Sequence, residues 1–485
     1  MKEITIDPIT RLEGHGKINI FLNDQGNVEN AYLQIPELRG FERFCQGRRA
    51  EDMPQITSRI CGVCPVAHHS ASTKALDMAF NTEPPTAAKK LRELMYMGYI
   101  IYDHILHFYF LGGPDFVVGP DAPPAKRNIL GVIEKAGLDI GKEVIKHRAY
   151  GQRITAILGG KATHPVCGLP GGVSKGLNGE EVADIESMVD SCIEFAKFSL
   201  QLFTDVVLKN AEYVELITRG PYQLDTYNMG LVDSNNKLNF YDGDIRVTDQ
   251  GGKEYERFRV VDYTEHIKEH VESWSYMKFP YLSSIGWKGL VDGPDSGIYR
   301  VGPLGRLNAS DGMTTPLAQK EYDRMFETLG GKPVGMTLSF HWARLIELLY
   351  AGERARELIK DDDITSGKIR NPVGEPGEGI GVVEAARGTL IHHYDVDDNG
   401  LIRKANLIVA TTNNAGAITM SVRDAAKGLI KKGEVNDGLL NMVEMAFRAY
   451  DPCFACATHA MPGKMPLIAN IYDKEENLLK SIKRN

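Results

Sequence analysis

Two short stretches of this 485-residue sequence hold the residues best suited to chemistry: "RICGVCPVAHH" at 59–69 and "DPCFACATH" at 451–459. Each sets two cysteines three apart, Cys61 with Cys64 and Cys453 with Cys456, with histidine close behind. A Cys-x-x-Cys pair turns two soft sulfurs toward one ion once both are thiolates, and a nearby cation such as Arg59 helps keep them ionised. Two ligands are too few, so the pairs together make a four-thiolate centre. Zinc is the plain occupant of four thiolates, but zinc modules close short loops, with about 15–20 residues between pairs, because the metal is the core of a small domain. Here the pairs lie near opposite ends of a chain large enough to bury a core without a metal staple. The fold must carry the site, and not the reverse. A thioredoxin-like redox pair is the other alternative, and neither pair sits in a recognisable strand-to-helix unit. Cys45, Cys167 and Cys192 stand alone and read as small buried apolar residues.

The elements that must bring the pairs together can be sketched from pattern. At 43% hydrophobic and 25% charged, the chain has the composition of a soluble globular protein with two or three sub-domains around one large core. A net charge of −8, without a basic stripe interleaved with aromatics, argues against a nucleic-acid partner. The start, "MKEITIDPITR", lacks a signal peptide's apolar core. The most apolar helix, "YMGYIIYDHILHFYFLGG", is interrupted by Asp103, His104 and His107, so no membrane span is expected. Seven cysteines without framework spacing suggest a reducing, cytoplasmic compartment. Residues 2–35 alternate as a β-meander, 388–412 as a second hairpin, and 463–482 as a third. Between them, apolar residues recur at three and four over 84–111, 179–217, 318–351 and 435–449, and 233–262 reads as an inserted β-hairpin region. The expectation is an α+β fold, a long-helix core with small peripheral sheets at the two ends.

Two glycine-rich motifs are set aside. "GEPGEGIGVVEA" at 374–385 lacks the G-x-G-x-x-G spacing and a preceding strand, and "LPGGVSKG" at 169–176 lacks the Gly-Lys-Ser/Thr ending of a phosphate loop. His104 and His107 share a helix face and read as a packed, hydrogen-bonded pair among aromatics.

With these residues in hand, the sequence resembles the large, catalytic subunit of nickel-iron hydrogenases. "RICGVC" and "DPCFAC" with "ATH" look like that family's two signatures. Six further blocks follow in order: "ITRLEGHGKI" at 9–18, "RGFE" at 39–42, "HFYFLGGPD" at 107–115, "GGKATHP" at 159–165, "HWARLIE" at 341–347 and "EAARG" at 384–388. The resemblance implies that Cys61 and Cys453 are terminal nickel ligands. Cys64 and Cys456 would bridge nickel to an iron carrying carbon monoxide and cyanide, a soft-ligand set suited to these metals. Heterolytic cleavage of dihydrogen needs a polarising metal and a base for the proton. By resemblance Cys453 is the first proton acceptor and Glu13 the next. Arg387 of "EAARG" would stand over the open metal face, held by Asp115 and Asp451. Thr411, beside Ala410, would bond a cyanide, and His68 a bridging sulfur. Glu42, His459 and the backbone carbonyl of Leu407 resemble the ligands of a separate Mg2+ or Fe2+ ion.

The chain departs from the family at Ala386 and Ala410, where proline is frequent; both changes loosen the pocket wall, so gas tolerance is not carried over. If four cysteines hold the metals, the other three cannot build a four-cysteine iron-sulfur cluster, so the electron wire must lie elsewhere. The resemblance supplies an iron-sulfur small subunit. In its cytosolic branch it adds partners with further clusters or flavin: diaphorase, ferredoxin-linked, deazaflavin-linked or heterodisulfide-reductase-type subunits. It also implies a maturation endopeptidase that cuts after His459 and removes residues 460–485 from a catalytic unit of 1–459, unless "KMPLIANIYD" is kept as a strand. Two rivals remain: a non-catalytic subunit like the quinone-site subunit of respiratory complex I, which lacks the four cysteines, and a zinc-stapled scaffold.

Overall fold

The structure is a computed structural model that describes residues 2–460, 467–473 and 477–484. Its centre is a helical bundle whose apolar stripes face one another: α1 (Pro65–Ala79), α2 (Thr86–Leu106), α3 (Leu138–Gly159), α4 (Gly179–Phe203), α5 (Pro316–Thr328) and α6 (Phe340–Ile359). Helix α2 packs on α3 and α6, and α6 on α4 and α5. The α2–α3 crossing is close because glycines face each other there; a Cβ on Gly151 would stand 2.7 Å from the Gly98 carbonyl oxygen. Helix α4 starts where Asn178 and Glu181 form a reciprocal capping box that satisfies two otherwise unpaired amides. The 318–351 stretch, read from periodicity as one helix, is two. Gly330 and Gly331 at φ 90° and 110° and the following Pro333 break it between α5 and α6.

The sheets are small, and contrary to the expectation not all are peripheral: Tyr227–Val232 is buried throughout and Glu378–Ala385 is buried after its first residue. β1 (Lys2–Ile6), β2 (Lys17–Leu22) and β3 (Val28–Gln34) form the expected antiparallel meander. Strand β4 (Tyr227–Val232) pairs antiparallel with β5 (Asp244–Thr248), and β5 with β6 (Glu254–Phe258), while Tyr299–Arg300 pairs parallel on the far edge of β4. The 233–262 hairpin is therefore the continuation of a sheet that β4 begins, not a self-contained insertion. The third sheet is β7 (Glu378–Ala385), β8 (Gly388–Val396) and β9 (Ile402–Ile408). Of the expected third hairpin, β10 (Leu467–Tyr472) and β11 (Leu478–Arg484) pair antiparallel, and residues 463–466 and 474–476 lie outside the described residues. Helices α7 (Ala415–Leu429) and α8 (Asp437–Tyr450) pack together, and α7 covers β3, which sets the N-terminal meander against the helices that precede the second cysteine pair.

The glycine-rich stretch set aside above is β7, and its glycines have a packing role. Strand β7 lies directly on α1; a Cβ on Gly381 would stand 2.0 Å from the Ala71 carbonyl oxygen and one on Gly379 2.0 Å from that of Ala75. Since α1 begins at Cys64, this contact fixes the helix that presents the first cysteine pair. Gly381→Ala is expected to lower unfolding stability by about 1–3 kcal/mol through overpacking. Denaturant midpoints of the full-length metal-free chain, compared with those of wild type, test this.

Candidate metal centre

The first pair sits where an extended residue turns into a helix. Cys61 has φ −135° and ψ 145°, and Cys64 caps α1, with Pro65 at the first helical position. The second pair follows α8. Asp451 ends that helix in the left-handed region at φ 59°, Pro452 prevents its continuation, and Cys453 opens a one-turn helix over Phe454–Ala457. The N-terminal strip "RLEGH" seats this segment. Glu13 forms a parallel bridge with Cys453, the Phe454 N–H donates to the Glu13 carbonyl at 2.9 Å, and a Cβ on Gly14, at φ 87°, would stand 2.5 Å from the Ala455 nitrogen.

Folding thus gathers four sulfurs from positions 392 residues apart: Cys61 to Cys453 at 3.2 Å, Cys64 to Cys456 at 3.6 Å and Cys453 to Cys456 at 2.8 Å. All four are buried and lie within 4.8 Å of one another. They cannot all ionise unaided. Burial opposes ionisation of Cys61, yet its contacts with Cys453, Cys456 and Cys64 and the Arg387 charge bring it well below the usual thiol range. Burial pushes Cys453 and Cys456 well above that range. Hydrogen bonds with Cys453 and Cys456 pull Cys64 down, but its contact with Cys61 and burial carry it up to about 11. Four adjacent buried thiolates require compensating cations of higher charge than one arginine, which is the condition a soft transition-metal centre meets.

Arg387 lies in the turn between β7 and β8 and is fully buried. Its Nη1 meets Asp103 at 3.1 Å and its Nη2 meets Asp451 at 2.9 Å, while its Nε has no partner among the described residues. The sequence expectation paired Arg387 with Asp115, and this is corrected. Asp115 lies with Arg11, Arg448 and Asn441; burial works against its ionising, but Arg448 and Arg11 bring it below the ordinary carboxylate range. The cause is local. Asp103 is in the last turns of α2, whereas a π-helical turn over His107–Gly112 intervenes and Asp115 sits beyond it in a separate short helix. Burial raises Asp103 and carries Asp451 up to about 7, with Arg387 opposing both.

The Thr411 hydroxyl oxygen accepts from the Cys453 N–H at 3.0 Å, which leaves its own proton to donate; Ala410 beside it and Ala386 beside Arg387 are buried. The Cys453 thiol donates to Glu13 Oε2 at 2.8 Å, and the Ala455 N–H donates to the same oxygen at 3.2 Å. His68 Nε2 lies 3.5 Å from Cys456 Sγ. Glu42, Leu407 and His459 also come together. The Leu407 N–H donates to Glu42 Oε1 at 2.8 Å, and His459 Nε2 stands 3.7 Å from that oxygen, buried and without a hydrogen-bond partner among the described residues. His104 and His107 are packed and bonded, to Glu347 at 2.8 Å and to the Arg448 carbonyl at 2.8 Å.

Sequence reasoning misses Asp103, although an acid within the most apolar helix is the available signal. It also misses Arg344, fully buried and electrostatically coupled to Asp451, and the pair His392 and Tyr394 behind His68.

A buried four-sulfur centre under a paired arginine, built on a helical core, defines a metal-dependent protein of the soft-ligand kind. Residues 39–127 and 295–459 match the family model described as nickel-dependent hydrogenase, and residues 3–38 match one described as HoxL-like. The chain is 48% identical over 485 residues, the whole of both chains, to an iron-sulfur subunit of the F420-non-reducing hydrogenase of Archaeoglobus profundus. It is 39% identical to the NAD-reducing hydrogenase HoxS subunit beta of Cupriavidus necator, over 99% of each chain. An NAD+-reducing [NiFe]-hydrogenase solved in the H2-reduced state superposes with a TM-score of 0.89 at 38% identity, over 95% of this chain and 100% of that one. The chain belongs to the nickel-dependent hydrogenase family, as its catalytic, metal-binding large subunit. Its relatives are named as subunits of larger enzymes, and no described helix is long and apolar enough to cross a membrane.

Proposed function

We propose that the four sulfurs hold one nickel and one iron, Cys61 and Cys453 on nickel alone and Cys64 and Cys456 shared, with carbon monoxide and cyanide on iron. When bound, this centre supplies a polarising electron-pair acceptor for dihydrogen and a store for its two electrons. The remaining work falls to the chain. Arg387, held by Asp103 and Asp451, keeps a fixed planar charge over the site. Cys453 Sγ takes the proton, and Glu13 Oε2, already its hydrogen-bond partner at 2.8 Å, takes it onward. The Ala455 N–H holds that carboxylate in place, and burial raises the Glu13 pKa, so it can keep a received proton. Thr411 has a free O–H for a cyanide nitrogen. Glu42, the Leu407 carbonyl and His459 are proposed to hold a divalent ion, Mg2+ or Fe2+, a role supported by the buried His459 Nε2, which has no hydrogen-bond partner among the described residues.

The contact between Cys453 and Glu13 within the four-sulfur cluster carries this reading. Mature protein is expected to contain nickel and iron one to one and to show infrared bands of carbon monoxide and cyanide. Zinc alone at the four sulfurs would overturn it. Cys64→Ser should abolish loading of both metals, because one ligand serves both.

Electrons are proposed to leave through an iron-sulfur small subunit, then through clusters or flavin in further cytoplasmic partners. One relative is named NAD-reducing and others F420-non-reducing, which supports a nicotinamide route and speaks against a deazaflavin one; ferredoxin- and heterodisulfide-reductase-type routes are proposed beside it on the sequence resemblance alone. Residues 460–485 are proposed to be removed by an endopeptidase between His459 and Ala460. Both residues are buried here, so the cut requires the 451–459 segment to be open, as it would be before metal insertion. Intact-mass measurement should find active enzyme ending at His459; a full-length chain that carries nickel and turns over dihydrogen would exclude the cut.

A further inference from the structure

Behind the metal centre runs a chain of hydrogen bonds that the proton route does not use. From Cys456 Sγ it passes to His68 Nε2 at 3.5 Å, from His68 Nδ1 to His392 Nε2 at 3.1 Å, and from His392 Nδ1 to the Tyr394 hydroxyl at 2.6 Å. Tyr394 then donates to Ser72 Oγ at 2.9 Å. Every side chain in it is buried, and among the described residues neither imidazole is paired with a carboxylate, so each ring carries a single proton. Among the described residues no hydrogen bond carries it on from Ser72 on α1, and the Thr57 hydroxyl, which also lies against Tyr394, gives its proton to the Met53 carbonyl at 2.7 Å. The chain is a closed line of donors and acceptors, not an exit.

With Tyr394 donating to Ser72, proton counting gives the chain one direction. Tyr394 has one O–H, given to Ser72, so its oxygen must accept from His392 Nδ1–H. His392 Nε2 is then a lone pair and must accept from His68 Nδ1–H. His68 therefore presents an unprotonated Nε2 to Cys456, which suits a thiol donating S–H to nitrogen. Once Cys456 is a thiolate on the two metals, the same arrangement would set lone pair against lone pair.

We propose that His392 and Tyr394 are positioning residues whose hydrogen-bond chain reverses polarity when the metals bind, making His68 a donor to the Cys456 sulfur; this rests on the nickel-iron reading above. In the reversed chain Ser72 donates to Tyr394, Tyr394 to His392 Nδ1, His392 Nε2–H to His68 Nδ1, and His68 Nε2–H to sulfur. Ser72, His68, His392 and Tyr394 each keep one proton in both arrangements, and the only proton lost is that of the Cys456 thiol. The donated hydrogen bond draws electron density from the shared sulfur, so the iron back-donates less to its carbon monoxide.

Two measurements test this on full-length protein, each with nickel and iron determined on the same sample. In histidine-15N-labelled wild type, the His68 resonances, assigned by their loss in His68→Gln, should show Nε2 unprotonated before loading and Nδ1 unprotonated in the diamagnetic loaded form. The same tautomer in both states overturns the proposal. In loaded Tyr394→Phe and His392→Leu, the carbon monoxide band should fall to lower wavenumber, while His392→Gln, whose amide can still donate to His68 Nδ1, should restore it. Wild-type bands in both variants at full metal content overturn it as well. If His392→Leu does not load, Tyr394→Phe and the wild-type tautomers decide. A wild-type sample lacking nickel and iron would instead defeat the metal assignment beneath.

Discussion

Glu13→Gln should leave nickel and iron in place while slowing hydrogen–deuterium exchange by about 10²–10⁴-fold, the range for removing a positioned acid-base group. The substitution keeps the shape and the Ala455 N–H contact through the amide oxygen, so the Cys453 segment should still dock. What disappears is the ability to take a proton from sulfur and pass it on. Full metal content with unchanged exchange would remove Glu13 from the path and send the proton through another group.

Arg387→Lys should also retain the metals, yet lose about 10²–10³ in turnover, the scale seen when one fixed electrostatic donor is withdrawn from a reacting site. A guanidinium spans Asp103 with one nitrogen and Asp451 with another, leaving Nε without a partner among the described residues. An ammonium has one point of charge and cannot reproduce that fork. Burial already raises both acids, so one of them should take up a proton in the variant. Carboxylic-acid absorption in the infrared difference spectrum would report this. Near-normal turnover would reduce Arg387 to a structural pairing residue.

The parts of the site that are legible in sequence are those carried by short motifs. Two cysteines three apart can converge on one ion whatever surrounds them, and the block resemblance points to Glu13, Arg387, Thr411, His68 and the Glu42–His459 pair. The partners of those residues are not legible, because nothing local encodes which acid faces an arginine 284 residues away. Asp103 reads in sequence only as an obstacle to membrane insertion, and Asp115, from a neighbouring block, stands in its place. The alternation in "GTLIHHYDV" sets Leu390, His392 and Tyr394 on one inward face of β8, but the pattern says nothing of what waits opposite, which here is His68 on α1. The fold shows the same division. The meander, the long helices and the hairpins follow from period, while the break between α5 and α6 and the joining of the 244–258 hairpin to β4 depend on glycine geometry and on tertiary pairing.

The two cysteine pairs are separated in time as well as in sequence. At synthesis rates of about 5–20 residues per second, the 392 residues between Cys61 and Cys453 mean that the first pair leaves the ribosome roughly 20–80 s before the second exists. For most of that interval β7 and β8, on which α1 packs, do not yet exist either, so the first pair is carried by an unsupported segment that offers half a ligand set to any soft metal. Correct loading therefore depends on the order of events: a two-cysteine half-site must bind wrong metals weakly enough to release them, and only the arrival of the last tenth of the chain turns it into a trap.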